Sequence, residues 1–273
     1  MFHYCEATVV QRINCLSRME LSQSKSKYIK SLHRGRYRQK YQNFIAEGTK
    51  IADEVLQSCD VSIELIVALP EWIEKNTTLL GPFVNKLYEA NEKSLREISL
   101  LSTPNQVLIV ANQPAQKLDI PSAKSGLTLF LDRIQDPGNL GTILRIADWF
   151  GVKNVVRSPG TVELFNPKVV QSSMGAVLRI NSPQLELEAL KSSLEEVPLL
   201  AAALEGENLF QLDFPEAAVM VLGNESNGIS SGVAAMVDKL VTIPKGKGGK
   251  AESLNASVAA GIVVAEWAKR WNA

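Results

Sequence analysis

The chain has 273 residues, 45% of them apolar, enough for one large domain or two ordinary ones to bury a core. Its 29 basic and 29 acidic side chains cancel, which excludes a global field toward nucleic acid and leaves only local patches for charged partners. Cys5, Cys15, Cys59, His3 and His33 fall in no metal-ligand spacing, so a reduced, metal-free, cytoplasmic protein is expected.

Residues 1–20 show no clear periodicity and lack the basic and apolar halves of a secretory signal; they read as a poorly packed extension, with Met19 a second candidate start beside Met1. Residues 21–46 contain no acid but carry Lys25, Lys27, Lys30, Arg34, Arg36, Arg38 and Lys40, interleaved with Tyr28, Tyr37, Tyr41 and Phe44. Such a run is either a solvated helix face or an RNA-contacting patch. A strand at 44–46, a turn at 47–50, a helix at 51–57 and strands at 64–69 and 106–110 define a small α/β domain over 21–111. Two prolines and polar residues mark 112–125 as the connection to a second domain, 126–273.

From 126 onward short apolar runs alternate with helical spacing. Strands are expected at 127–131, 154–156, 199–204, 219–222 and 240–243, a helix at 139–150, and an amphipathic helix at 253–271. This alternation predicts a mostly parallel sheet covered on both faces. The longest apolar stretch, 256–265, ends at Glu266 and falls short of the roughly 18 to 20 residues of a membrane span.

Three strings sit where a strand ends and a helix begins: Asp136-Pro137-Gly138-Asn139-Leu140-Gly141-Thr142-Ile143-Leu144-Arg145, Leu222-Gly223-Asn224-Glu225-Ser226-Asn227-Gly228, and Glu252-Ser253-Leu254-Asn255-Ala256-Ser257-Val258. That edge of an open sheet is where ligands bind, because helix N-termini offer unpaired N–H groups. Taken singly each has an ordinary explanation: Asn139 a cap with Arg145 on the surface, Glu225 a capping carboxylate, and residues 245–250 a flexible loop before a cap. Neither the dinucleotide GxGxxG fingerprint nor a Gly-Lys-Ser/Thr phosphate loop is present, which argues against a nicotinamide oxidoreductase.

Together, and in this order, the strings resemble the three motifs of the SpoU-type (TrmH-like) RNA 2'-O-ribose methyltransferases of the SPOUT class. The resemblance covers about 126–271. Residues 21–110, with Phe44-Ile45-Ala46-Glu47-Gly48, are more loosely similar to the substrate-binding domain found ahead of it in many such enzymes. It implies an α/β fold with a C-terminal trefoil knot, S-adenosylmethionine as cofactor, a homodimer through the C-terminal domain, and ribosomal or transfer RNA as substrate. Asn139, Arg145, Glu225, Ser253 and Asn255 match the polar motif positions. The cofactor would meet Leu222, Gly223, Asn224, Ile243, Pro244, Ser253, Leu254 and Asn255. Two departures stand out: Lys245 replaces a common methionine or glycine, and the 245–251 loop is longer by about two residues.

Methyl transfer to a ribose hydroxyl needs positioning and a destination for the proton, but no metal. The implied role of Arg145 is to orient the hydroxyl and stabilise the developing alkoxide, held by Glu225, while an RNA phosphate takes the proton. The competing reading is a catalytically idle RNA-binding scaffold of the same fold.

Overall fold

Apolar and β-branched runs form strands that a computed structural model gathers into two five-stranded sheets, one in each of two compact units. The structure describes residues 19–224 and 228–271. The expected extension up to residue 18, with Cys5, Cys15 and His3, and Glu225 of the second motif lie outside them.

The first unit takes the chain to Pro114, together with Phe165–Gln171. Its strands are β1 (Met19–Glu20), β2 (Asn43–Glu47), β3 (Ile63–Ala68), β4 (Leu87–Glu89) and β5 (Val107–Asn112), in the order β1-β4-β3-β5-β2. Pairing is parallel on the β1-β4-β3 side and antiparallel where β5 meets β3 and β2. Met19 and Glu20, read from sequence as part of the extension, pair with Tyr88 and Glu89. The helices include α1 (Gln23–Ser31), α2 (Gly35–Tyr41) and α3 (Thr49–Gln57). One face of the sheet packs Leu65, Val67, Leu108 and Val110 against Ile29, Leu32, Leu95 and Ile98. Each such side chain contributes about 1.5–3 kcal/mol when fully buried. The 44–48 string has a structural cause: Glu47 is buried and accepts from Ser99 Oγ at 2.5 Å, and Gly48 turns the chain at φ +118°.

The second unit comprises Ala115–Leu164 and Ser172 onward. Its sheet is parallel throughout, in the order β10-β8-β9-β6-β7: β6 (Leu127–Asp132), β7 (Asn154–Arg157), β8 (Leu199–Asn208), β9 (Ala218–Gly223) and β10 (Lys239–Thr242). Every residue of the interior strand β6 is buried, as a parallel strand covered on both faces requires. Part of the expected connection is helical. Ile120–Ser125 forms a helix whose cap, Asp119, accepts from the Ser122 N–H at 3.2 Å. Pro121 lies in its first turn, where proline starts a helix rather than breaking one. After α4 (Pro70–Lys75), α5 (Thr77–Leu80), α6 (Glu92–Ile98) and α7 (Ile120–Ser125) comes α8 (Pro137–Trp149), and after α9 (Pro167–Ser173), α10 (Leu187–Ser193) and α11 (Ser231–Ala234) comes α12 (Ala256–Trp271); α8 and α12 complete the frame of the site and pack on each other.

Candidate active site

Strand order decides where a ligand meets this sheet. The chain leaves β6 for β7 on one side, then places β8, β9 and β10 on the other, so the order reverses at β6 and opens a crevice outside its carboxyl end. The first motif follows β6, the second follows its neighbour β9, and the third follows β10. At the junction Asp132, the last residue of β6, lies beside Gly223, the last residue of β9.

The first motif enters α8 through Asp136, whose Oδ1 accepts from the Asn139 N–H at 2.9 Å. The cap is therefore Asp136, one turn earlier than the sequence reading placed it, and Asn139 is released for another contact. Its amide is nearly buried, and its Oδ1 accepts from Asn255 Nδ2 at 3.0 Å. Asn255 in turn caps α12, its Oδ1 accepting from the N–H and Oγ of Ser257 at 3.0 and 2.7 Å. One asparagine thus ends the third motif's loop, starts the last helix and ties it to the first motif. Ser253 and Leu254 are exposed beside it, Leu254 to 45%.

Arg145 lies two turns along α8 on its solvent face, and its side chain makes no hydrogen bond or ion pair with another described residue. Asp148 on the same helix is engaged, accepting a two-pronged contact from Arg179, Nη2 to Oδ2 at 2.8 Å and Nε to Oδ1 at 3.2 Å. Gly141 is dictated by packing: a Cβ there would stand 2.8 Å from Ser172 Cβ and 2.9 Å from the Ser173 nitrogen.

In the second motif Leu222 is buried, and a Cβ on Gly223 would come within 2.5 Å of the Ile229 nitrogen and 2.6 Å of the Gly228 oxygen. The chain itself passes over this glycine, which explains its identity without a ligand. Asn224 and Gly228 close the loop with paired backbone bonds of 3.0 and 2.8 Å, and Asn224 Nδ2 donates to the Arg133 carbonyl at 2.9 Å. Glu225 lies outside the described residues. Ile243 is half-buried and Pro244 exposed, and Lys245, Lys247 and Lys250 of the following loop are all exposed.

Sequence reading missed Asp132 and Arg133. Asp132 is buried, its Oδ2 accepts from the Ser230 N–H at 2.6 Å, and its Oδ1 accepts from Arg133 Nε at 3.2 Å. Arg133 adopts φ +57°, uncommon for a side chain of its size, and its N–H donates to Ser158 Oγ at 2.9 Å. This carboxylate ties the end of β6 to the segment that follows β9; the signal available was an acid closing a mostly apolar strand, just ahead of the first motif.

The basic stretch of the first unit is divided by burial. Lys27, Lys30, Arg34, Arg36 and Lys40 are exposed and Lys25 half-buried, whereas Arg38 is 3% exposed and donates from Nη1 to the Leu32 carbonyl at 2.7 Å. Arg38 belongs to the fold, a correction to its place among the expected RNA contacts. A depression of about 200 Å³ lined by Ser122, Lys153, Glu216, Trp267 and Trp271 lies at the amino ends of β6, β7 and β9, opposite the motifs. Among the described residues no group of three or more His, Cys, Asp or Glu side chains could hold a metal, and no helix is long and apolar enough to cross a membrane.

The family model described as the SpoU rRNA Methylase family matches residues 126–265, and that of the MRM3-like substrate binding domain matches 23–109. The 23S rRNA (guanosine(2553)-2'-O)-methyltransferase RlmP of Bacillus subtilis is 32% identical over 86% of this chain and 92% of its own. A structure from Porphyromonas gingivalis, described as of the TrmH family of RNA methyltransferases, superposes with TM-score 0.81 at 36% identity over 92% of this chain and 99% of that one. An AdoMet-bound rRNA methyltransferase from Sinorhizobium meliloti gives 0.80 at 26% identity over 93% and 97%. Three motifs joined at one edge of a parallel sheet, and relatives spanning nearly the whole chain, place it in the SpoU rRNA methylase family, with an MRM3-like substrate binding domain ahead of the methylase domain.

Proposed function

We propose that the chain transfers a methyl group from S-adenosylmethionine to a ribose 2'-hydroxyl of RNA, with ribosomal RNA the first candidate and transfer RNA the second. The observation that carries this reading is the Asn139–Asn255 bond, which locks the third motif to the first on the helix whose exposed face displays Arg145.

The residues present fit the cofactor by their chemistry. Leu254 is exposed and Ile243 half-buried, two apolar side chains that would offer a surface to a flat ring. When bound, S-adenosylmethionine supplies a methyl group on a positively charged sulfur. Leu222, Gly223, Asn224, Ile243, Pro244, Ser253, Leu254 and Asn255 are the residues we assign to hold it.

Arg145 carries five N–H donors and no acceptor, so it serves to orient the ribose oxygen and stabilise charge on it rather than to remove its proton. We assign that proton to an RNA phosphate oxygen and the steadying of Arg145 to Glu225. Asn139, Ser253 and Asn255 fix the loops around the ribose. On the first unit, Lys25, Lys27, Lys30, Arg34, Arg36 and Lys40 would meet RNA phosphates. We further infer a trefoil-knotted C-terminal domain, a cytoplasmic location, and a homodimer through the C-terminal domain. The exposed Trp149 and Val258 of the second unit support the dimer as apolar side chains in want of a partner.

The test uses alkali. A 2'-O-methyl group blocks attack on the neighbouring phosphodiester, so label transferred from S-adenosylmethionine to ribosomal RNA should survive hydrolysis in dinucleotides. Label released in mononucleotides would mean base methylation and contradict the proposal.

A further inference from the structure

We propose that Tyr37 and Tyr41 on α2 form a stacking platform for unpaired bases of the RNA substrate, so that the first unit selects single-stranded loops or bulges over continuous duplex. This rests on the reading of the chain as an RNA methyltransferase and deepens it.

The argument begins with what α2 does not do. Of its seven residues only Arg38 is buried, and that side chain is spent on the Leu32 carbonyl, so the tyrosines of this helix build no core. They are nonetheless held in order. Tyr28 on α1 is anchored from below, its hydroxyl accepting from Asn43 Nδ2 at 2.6 Å. Its ring meets that of Tyr41 edge to face, with centroids 5.2 Å apart and planes at 82°. Tyr41, 40% exposed, then lies nearly parallel to Tyr37 one turn earlier, with centroids 6.3 Å apart and planes within 12°.

Each outer ring carries a cation. The Arg36 guanidinium sits 4.6 Å from the Tyr37 ring centre and donates from Nη2 to its hydroxyl at 3.1 Å; Lys40 Nζ lies 5.3 Å from the Tyr41 ring centre. No acidic side chain occurs between residues 21 and 46. Two parallel rings, each under an exposed cation that an incoming base would displace onto its own phosphate, are suited to unpaired nucleotides: every base has a π-face, and aromatic stacking tolerates sequence. Continuous duplex keeps its bases stacked on one another and offers the platform only phosphates.

The test is binding of the full chain to two labelled RNAs of equal length, a hairpin with an unpaired loop and a blunt duplex, at two salt concentrations. Tyr37→Leu and Tyr41→Leu are expected to weaken the hairpin complex by about 5- to 150-fold for each base unstacked, leaving duplex affinity and the salt slope unchanged. Tyr41→Phe, which keeps the ring, should bind as the native chain does. Equal losses on both RNAs, or none on the hairpin, would overturn the platform while leaving salt-dependent RNA binding in place. Native protein that binds neither RNA would overturn the RNA reading along with it.

Discussion

Arg145, Arg38 and Arg157 share a side chain and differ in what surrounds it. Arg157 is 7% exposed, and burial pushes its guanidinium down to about 10 while it donates to the Ser182 carbonyl at 2.9 Å. Arg38 is likewise spent inside the fold. Arg145 alone of the three is exposed, which is what an arginine meant for a ligand requires. Arg145→Ala is expected to lower the methyl-transfer rate about 100- to 1000-fold, the usual loss for one donor to a developing oxyanion, with S-adenosylmethionine binding retained in calorimetry. An unchanged rate would remove Arg145 from the chemistry. The sequence marked Arg145 by its motif but left Arg38 among the expected RNA contacts and Arg157 unremarked, because burial depends on the partners each meets in space. Titration adds a second expectation. His33 donates from Nε2 to the Ile98 carbonyl at 3.0 Å, and desolvation lowers its pKa below the ordinary 6.5. The unfolded chain then binds the proton more readily, so this stabilisation is complete above about pH 6.5 and fades as pH falls toward the folded value. His33→Gln should flatten that part of the stability profile in urea titrations.

At the scale of elements, the strands of the second sheet were legible because a parallel sheet buried on both faces leaves uninterrupted apolar runs such as Val219-Met220-Val221-Leu222. Strands β1 and β4 were not, since two and three residues carry no period to read. The site was legible as three strings but not as a bond: that Asn255 reaches Asn139 follows from packing of α12 on α8 across 116 positions of sequence. The bond can be separated from the cap. Asn255→Asp keeps the acceptor that caps α12 but cannot donate to Asn139, so unfolding should change by less than about 1 kcal/mol while methyl transfer falls. Asn255→Ala should lose both, and loss of stability in both variants alike would assign Asn255 to the fold alone. For Gly141→Ala, overpacking against Ser172 and Ser173 should cost about 1–3 kcal/mol in denaturant titrations. A neutral result would show that α8 can shift away from the neighbouring chain.

For the whole molecule, net charge of zero concealed local patches: one run of exposed cations lies on α1, α2 and their connection in the first unit, while the motifs gather on the second. RNA affinity should therefore fall steeply with salt, and Lys27→Ala or Lys40→Ala should each reduce the slope of log affinity against log salt by about 0.7 to 0.9. Trp149, 83% exposed, is the corresponding handle on assembly. Sedimentation of the native chain should give twice 29.9 kDa and that of Trp149→Glu the monomer mass. No pattern in the sequence marked Trp149 as exposed, because a tryptophan at the end of an amphipathic helix is ordinarily core. The central claim is the transfer of methyl to a ribose of RNA, and nucleoside mass spectrometry tests it most directly, using separated ribosomal and transfer RNA from cells lacking the gene, incubated with S-adenosylmethionine and the full chain. The account predicts a 2'-O-methylated nucleoside in the ribosomal fraction with the native protein and none with Arg145→Ala; a base-methylated nucleoside, or equal product from both proteins, would contradict it.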